Sequence, residues 1–150
     1  MNLATQSLLT LYLRDLNKLA EEIRLYPDEA SIWTVAPGTT NSGGNLCLHL
    51  CGNLQHFIGT VLGSTGYVRN REAEFASKNI PRQQLLDEIE KTKAAISATL
   101  PNLPHEQLHA LYPIEVFGTP MATIAFLMHL ATHLGYHLGQ VNYHRRMIAG

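Results

Sequence analysis

The sequence has little charge, little cysteine and no long apolar run. Charged residues make up 15% of the 150 residues, and the formal net charge is −1. A nucleic-acid binder needs a concentrated positive surface, so we expect no nucleic-acid partner. A membrane span needs roughly 18 or more consecutive apolar residues, and no run approaches that length, so we expect no membrane partner.

The two cysteines lie in one predicted helix. Cys47 and Cys51 are four residues apart, which puts their Cβ atoms about 5 to 6 Å apart, farther than a disulfide allows. We interpret them as small buried hydrophobic side chains. The N-terminal segment carries Arg14, Asp15 and Lys18 where a secretion signal would have an apolar block. These features predict a cytoplasmic protein with reduced thiols.

Hydrophobic residues recur at helical spacing in four segments. They predict helices over about residues 3–25, 42–63, 81–100 and 120–147. Asn41 or Ser42 is the expected N-cap of the second helix. The fourth helix is apolar on nearly every side, which predicts that it is buried.

Four helices without a convincing strand predict an all-α fold, a four-helix bundle that forms a single domain over residues 1–150. The run "ASIWTV" is the only strand-like segment, and it is too short to change the fold class. Two of the connections reach about fifteen residues, which is long for a bundle. We therefore expect a crossover connection between the second and third helices, with a short turn at Glu72 to Ala76.

Three histidines stand at every fourth position in "HLATHLGYHLGQ". His133 and His137 are one helical turn apart and face the same way, as are His129 and His133. All three cannot hold one ion, because His129 and His137 lie about 12 Å apart along the helix axis. Zinc and similar ions take three or four ligands, so a ligand pair on this helix needs a partner from another helix.

The second helix offers His49, which forms a stripe with Asn53 and His56 on one face. Cys47 and Cys51 lie about 200° around the helix from His49, which removes the thiols as ligands of the same ion. Spacing alone leaves two interpretations nearly even. The histidines either bind a metal ion or are satisfied by hydrogen bonds in a polar core.

The segments "NSGGNLCLHLCGNLQHFIG" and "HLATHLGYHLGQ" resemble the DinB superfamily of metal-binding four-helix bundles. That family pattern has H-L-x-x-N in the second helix and H-x-x-x-H-x-G-Q in the fourth. It falls on His49, Leu50, Asn53, His133, His137, Gly139 and Gln140. The crossover "GYVRNREAEFASKNIPRQQLLDEI" is also similar to these proteins. The resemblance implies that His49, His133 and His137 bind a divalent metal ion, whereas Leu138 replaces the usual arginine.

Three further residues are predicted to contact the ligands or to line a substrate pocket. They are Asn53, Gln140 and His129. Gln140 shares a face with His137 and either orients that ligand or packs between helices. His129 matches no ligand position of the family, and we interpret it as a buried neighbour of the ligands. His56 and His144 are expected to be exposed or to lie in an interface.

A site of three neutral imidazoles leaves coordination positions open, which is typical of catalysis. Imidazole suits several ions, with zinc or nickel the expected cofactor. The resemblance implies an enzyme that transfers groups to a low-molecular-weight thiol such as bacillithiol, mycothiol or glutathione. It also implies a homodimer, which the low charge supports.

No catalytic acid or base is predicted, because no Asp or Glu shares the histidine-bearing faces of the second and fourth helices. Two alternatives therefore stay open. The same ligands would serve a metal-dependent hydrolase, or the protein is a non-catalytic metal-binding dimer of a stress response.

Overall fold

The computed structural model describes residues 1–149, which form an all-α bundle. The α-helices are, in chain order, α1 (Leu3–Leu25), α2 (Glu29–Ile32), α3 (Gly43–Leu54), α4 (Arg71–Ala76), α5 (Arg82–Thr99), α6 (His105–His109) and α7 (Thr123–Ala149). Both α1 and α3 pack against α5 and α7, so the long helices stand at the corners of a four-helix bundle. The predicted fold class is confirmed.

None of the helices in residues 1–149 combines the length and the hydrophobicity that crossing a membrane requires.

The second bundle helix begins at a side-chain cap and changes its winding midway. Ser42 is the N-cap, and its hydroxyl accepts a hydrogen bond from the backbone N–H of Asn45 at 3.1 Å. The α-helix ends at Leu54 and continues as a π-helical segment, Gln55–Thr60. The prediction of helical structure to about residue 63 is therefore close to the observed end at Thr60, but the last six residues are π-helical rather than α-helical.

The crossover between α3 and α5 contains α4 where only a short turn was predicted. Asn70 caps α4 by accepting a hydrogen bond from the backbone N–H of Ala73. The helix packs directly against α3. A Cβ at Gly52 of α3 would collide with the carboxylate of Glu74, so glycine permits this close approach. The crossover therefore reaches the middle of the bundle.

The strand-like run "ASIWTV" begins within α2 instead of forming a strand. Asp28 and Ser31 form a capping box, in which each side chain is hydrogen-bonded to the backbone of the other residue. These bonds satisfy the free N–H groups that open a helix, which stabilises helix over strand.

Both cysteines are buried and free, as predicted. Their contact with each other and their burial raise the pKa of the Cys47 thiol. A buried thiol whose pKa is raised is a poor nucleophile.

The last helix differs from its prediction. It begins at Thr123 rather than near Pro120, because Ala122 pairs with Leu111 in an isolated β-bridge just before it. The expected burial on nearly every side is wrong: one face of α7 is open, with Met128 56% and Tyr143 65% exposed. A helix at the corner of a bundle contacts neighbours on its inner side only.

Candidate metal centre

Three imidazoles from two helices converge inside the bundle. One ring nitrogen each of His49, His133 and His137 lies within 4.8 Å of the others. The Nε2 atoms of His49 and His133 are 3.2 Å apart. Two imidazole nitrogens on one tetrahedral zinc ion would be about 3.3 Å apart, given bonds of about 2.0 to 2.1 Å. The structure thus brings the three predicted ligands together, and it places His49 and His133 at the spacing expected for a shared ion.

The helices fix this convergence. His133 and His137 occupy successive turns of α7, with their rings 4.6 Å apart and nearly perpendicular. His49 reaches them from α3, which packs against α7. Its side chain is buried, whereas the two α7 imidazoles are half-buried. The cluster therefore has an enclosed side on α3 and a more accessible side on α7.

Burial keeps the α7 imidazoles in their neutral form. Burial, together with the neighbouring imidazoles of His137, His49 and His129, lowers the pKa of His133 to about 4. Burial also lowers the pKa of His137, against the opposing effect of the hydrogen bond that His137 donates to Gln140. Near neutral pH both rings therefore keep a lone pair free for a metal ion, as neutral imidazole ligands require.

Glu74 is the residue at this site that the sequence interpretation missed. Its Oε1 lies 3.1 Å from Nδ1 of His49. Arg69 holds the same carboxylate through Nε to Oε2 at 2.8 Å and Nη2 to Oε1 at 2.9 Å, and its Nη2 also lies 3.4 Å from Nδ1 of His49. Burial alone would raise the pKa of Glu74, but the hydrogen bonds from Arg69 and His49 outweigh it and the pKa is lowered.

An ionised Glu74 accepts a hydrogen bond from Nδ1–H of His49. This fixes the tautomer whose Nε2 is unprotonated and faces the cluster. The search for acids on the second and fourth helices missed Glu74 because it lies on α4, in the crossover. The available signal was the similarity of "GYVRNREAEFASK" to the DinB proteins.

Gln140 orients the imidazole of His137 in a similar way. Nδ1–H of His137 donates to Oε1 of Gln140 at 2.7 Å, so Nε2 is left for the cluster. Gln140 is exposed rather than packed between helices. Its contact fits the interpretation that it orients a ligand.

Two buried polar atoms near the site have no hydrogen-bond partner within residues 1–149. They are Oδ1 of Asn53 and Nδ1 of His133. The Asn53 oxygen is an acceptor in need of a donor, so its predicted contact with a ligand or substrate stays a prediction. With two of the three Nε2 atoms oriented by Glu74 and Gln140, the donor set fits a divalent metal ion.

The remaining histidines lie outside the cluster. His129 packs edge-on against Phe117, with ring centroids 4.7 Å apart, and its own ring is 6.3 Å from that of His133. The expectation that His144 is exposed or interfacial is wrong, because His144 is buried. Its Nδ1 is 2.6 Å from the Tyr26 hydroxyl and its Nε2 is 2.7 Å from the Thr34 carbonyl oxygen.

The bundle has the fold of a DinB-like protein. A crystal structure of a DinB-like protein from Bacillus cereus ATCC 10987 has the same fold, with a TM-score of 0.74 and 20% identity, covering 96% of this chain and 92% of that chain. The chain belongs to a family described as a protein of unknown function (DUF1572), whose model matches residues 7–150. No curated protein matches this chain. The resemblance seen in the histidine motifs is confirmed at the level of the fold.

Proposed function

We propose that this protein is a metal-dependent thiol S-transferase. His49, His133 and His137 are its metal ligands, zinc or nickel is its ion, and a low-molecular-weight thiol of the bacillithiol, mycothiol or glutathione type is its cosubstrate. The observation that carries the proposal is the convergence of three imidazole nitrogens within 4.8 Å. The DinB-like fold supports it, and the resemblance of the second-helix and fourth-helix motifs to the DinB superfamily implies a thiol cosubstrate.

The three neutral imidazoles would leave a bound divalent ion its full positive charge and open positions, which would favour the thiolate form of a coordinated thiol. The protein itself orients the ligand imidazoles and keeps their nitrogens unprotonated. Glu74 and Gln140 set the ring orientation of His49 and His137, and burial keeps His133 neutral. In the transfer, the thiol sulfur bonds to an electrophilic carbon, the leaving group departs with its electron pair, and the thiol proton passes to solvent.

The contacts of Glu74 favour thiol transfer over hydrolysis. Hydrolysis through water benefits from a free general base within reach of the nucleophile. The Glu74 carboxylate is held on both oxygens by Arg69 and is hydrogen-bonded to His49. A carboxylate tied in this way and with a lowered pKa is a weak base. Thiol transfer does not need one, because an activated thiolate is itself the nucleophile.

A substrate panel tests the proposal. The metal-loaded protein is assayed with bacillithiol, mycothiol and glutathione against monobromobimane, and in parallel with nitrophenyl esters and anilides. We expect thiol conjugation at least about tenfold above the uncatalysed rate, lost with a chelator and restored by zinc or nickel. Metal-dependent ester or amide cleavage without thiol conjugation would show a hydrolase, and no turnover at all would show a non-catalytic metal-binding protein.

We also propose that two copies pair through the outward face of α7. Met128 is more than half exposed on this face. Gly135 and Gly139 lie two and three turns further along the same face and are exposed, so a second helix can approach the backbone closely. Exposed apolar surface next to small residues is typical of a contact between subunits.

Gly139→Lys is expected to convert the dimer to a 16.7 kDa monomer in sedimentation at micromolar concentration. A Cβ at Gly139 meets nothing within 4 Å, so the monomer accommodates the side chain. It also gains about 0.5 to 1 kcal/mol, because glycine is a poor helix former. The control is Ala94→Lys, at an exposed position of α5, which should stay dimeric. A wild-type protein that sediments only as a monomer would contradict the pairing.

A further inference from the structure

A cavity of about 440 Å³ adjoins the metal centre. It lies between α7 and the loop that precedes α3, and His137 and Gln140 form part of its wall. The loop contributes Thr39 and Thr40, and Leu46 contributes from the first turn of α3. The volume falls in the range of about 300 to 1,000 Å³ that small-molecule sites occupy.

The lining of this cavity is uncharged. None of the described residues that line it is Asp, Glu, Lys or Arg. Its rim instead carries large exposed apolar side chains, with Tyr136 and Tyr143 each 65% exposed and Met147 61% exposed. Aromatic and apolar side chains around a few hydroxyl and amide groups are typical of a site for a small organic ligand.

A buried, hydrogen-bonded histidine also lines the cavity. His144 lines it, with Nε2 facing the Thr34 carbonyl oxygen at 2.7 Å. A carbonyl only accepts, so Nε2 carries the proton and Nδ1 accepts from the Tyr26 hydroxyl at 2.6 Å. Burial raises the pKa of Tyr26, which keeps its proton for this bond. Both ring nitrogens of His144 are thus hydrogen-bonded.

The arginines at the end of α7 do not provide a cation inside the cavity. Arg145 is paired with Glu22 of α1. The Arg146 guanidinium stacks on the ring of Tyr143, 5.5 Å from its centroid, and is not among the lining residues. In the metal-free protein, an anion that entered the cavity would therefore lose its hydration without gaining an ion pair from a lining side chain.

We propose that this cavity binds an uncharged ligand with an aromatic or apolar ring, and that Tyr136 and Tyr143 stack on that ring. A carboxylate that moves into such a site loses its hydration and is disfavoured unless it finds a cation, whereas stacking between two rings is favourable. As the electrophile of the thiol transfer, this ligand lies beside His137. That role rests on the proposed function, whereas the preference for a neutral ligand rests on the cavity alone.

Two probes of matched size test the preference. Binding of 4-nitrobenzyl alcohol and of 4-nitrobenzoate is measured by isothermal titration, with the metal-loaded protein and again after metal removal, so that a carboxylate on the metal is recognised. We expect the alcohol to bind at least about tenfold more tightly than the benzoate to the metal-free form. Equal or tighter binding of the benzoate there, or no detectable binding of the alcohol at millimolar concentration, would overturn the proposal.

Three variants test whether the ligand binds in the cavity. Tyr143→Ala should weaken binding of the alcohol about fivefold to tenfold. Phe117→Ala is the matched control, because Phe117 is 53% exposed and packs against His129, away from the cavity. Thr40→Lys adds a cation to the lining and should raise the affinity for the benzoate about tenfold. An unchanged affinity in Tyr143→Ala would show that the ligand binds elsewhere.

The two proposals fail in different ways. Selective binding of the alcohol by a protein that conjugates no thiol would remove the transferase and leave the cavity as a ligand site. Thiol conjugation by a protein without this selectivity would remove the neutral-ligand site and leave the transferase.

Discussion

His133→Ala abolishes stoichiometric binding of zinc or nickel if the three imidazoles are the metal ligands. His133 is the central residue of the cluster, 3.2 Å from His49 between their Nε2 atoms and with its ring 4.6 Å from that of His137. Removing it leaves two protein ligands, fewer than zinc sites use. Elemental analysis after dialysis is expected to give about one equivalent of metal in the wild type and less than about a tenth in the variant.

The fold should survive this substitution. His133 is half-buried, and its Nδ1 has no partner in residues 1–149, so truncation breaks no hydrogen bond at that atom. His129→Ala is the matched control, since it removes the same side chain one turn earlier and outside the cluster. Circular dichroism should show both variants folded. A His133→Ala protein that keeps its metal with unchanged affinity would refute the ligand assignment.

Glu74→Ala is expected to have the largest effect on stability. It leaves the Arg69 guanidinium, whose side chain is 12% exposed, without its carboxylate, and it leaves Nδ1–H of His49 without an acceptor. Removing one partner of a buried ion pair costs about 3 to 5 kcal/mol of the free energy of unfolding. The metal affinity should also fall, by about 10-fold to 100-fold, because His49 loses the group that orients it.

Chemical denaturation and metal titration measure these two effects separately. Glu72→Ala is the control, because Glu72 is an exposed acid on the same short helix. Glu74→Gln keeps the volume and one acceptor oxygen and should lie between the wild type and Glu74→Ala in both measurements. If Glu74→Ala matches Glu72→Ala, the carboxylate has no part in orienting His49.

The long helices and the members of the histidine cluster could be predicted from the sequence. Helical spacing of apolar residues identified the four long helices, and the i, i+4 spacing placed His133 and His137 on one face. The choice of His49 as their partner came from the resemblance, because spacing within one helix carries no information about another. The structure confirms that these three side chains meet.

Other features depend on tertiary packing, which the spacing of apolar residues along the sequence does not reveal. Glu74 reaches His49 because α4 packs on α3 at Gly52, a contact between residues about twenty positions apart in a segment without periodicity. The apolar pattern of α7 was too uniform to show which side faces the core. His144 was therefore misplaced on the surface, although it joins α7 to Tyr26 and to the loop at Thr34.

The π-helical segment Gln55–Thr60 has a consequence for comparing related sequences by helical phase. A π turn holds about one residue more than an α turn, so side chains beyond it lag the α-helical phase by up to about 100°. His49 lies before this change and His56 within it, where the His56 ring packs against Phe57 instead of joining the cluster. In a relative that lacks the extra residue, the residues that face the bundle core beyond this point are numbered one position earlier. An alignment without a one-residue gap here will therefore match core-facing residues with residues on another side of the helix.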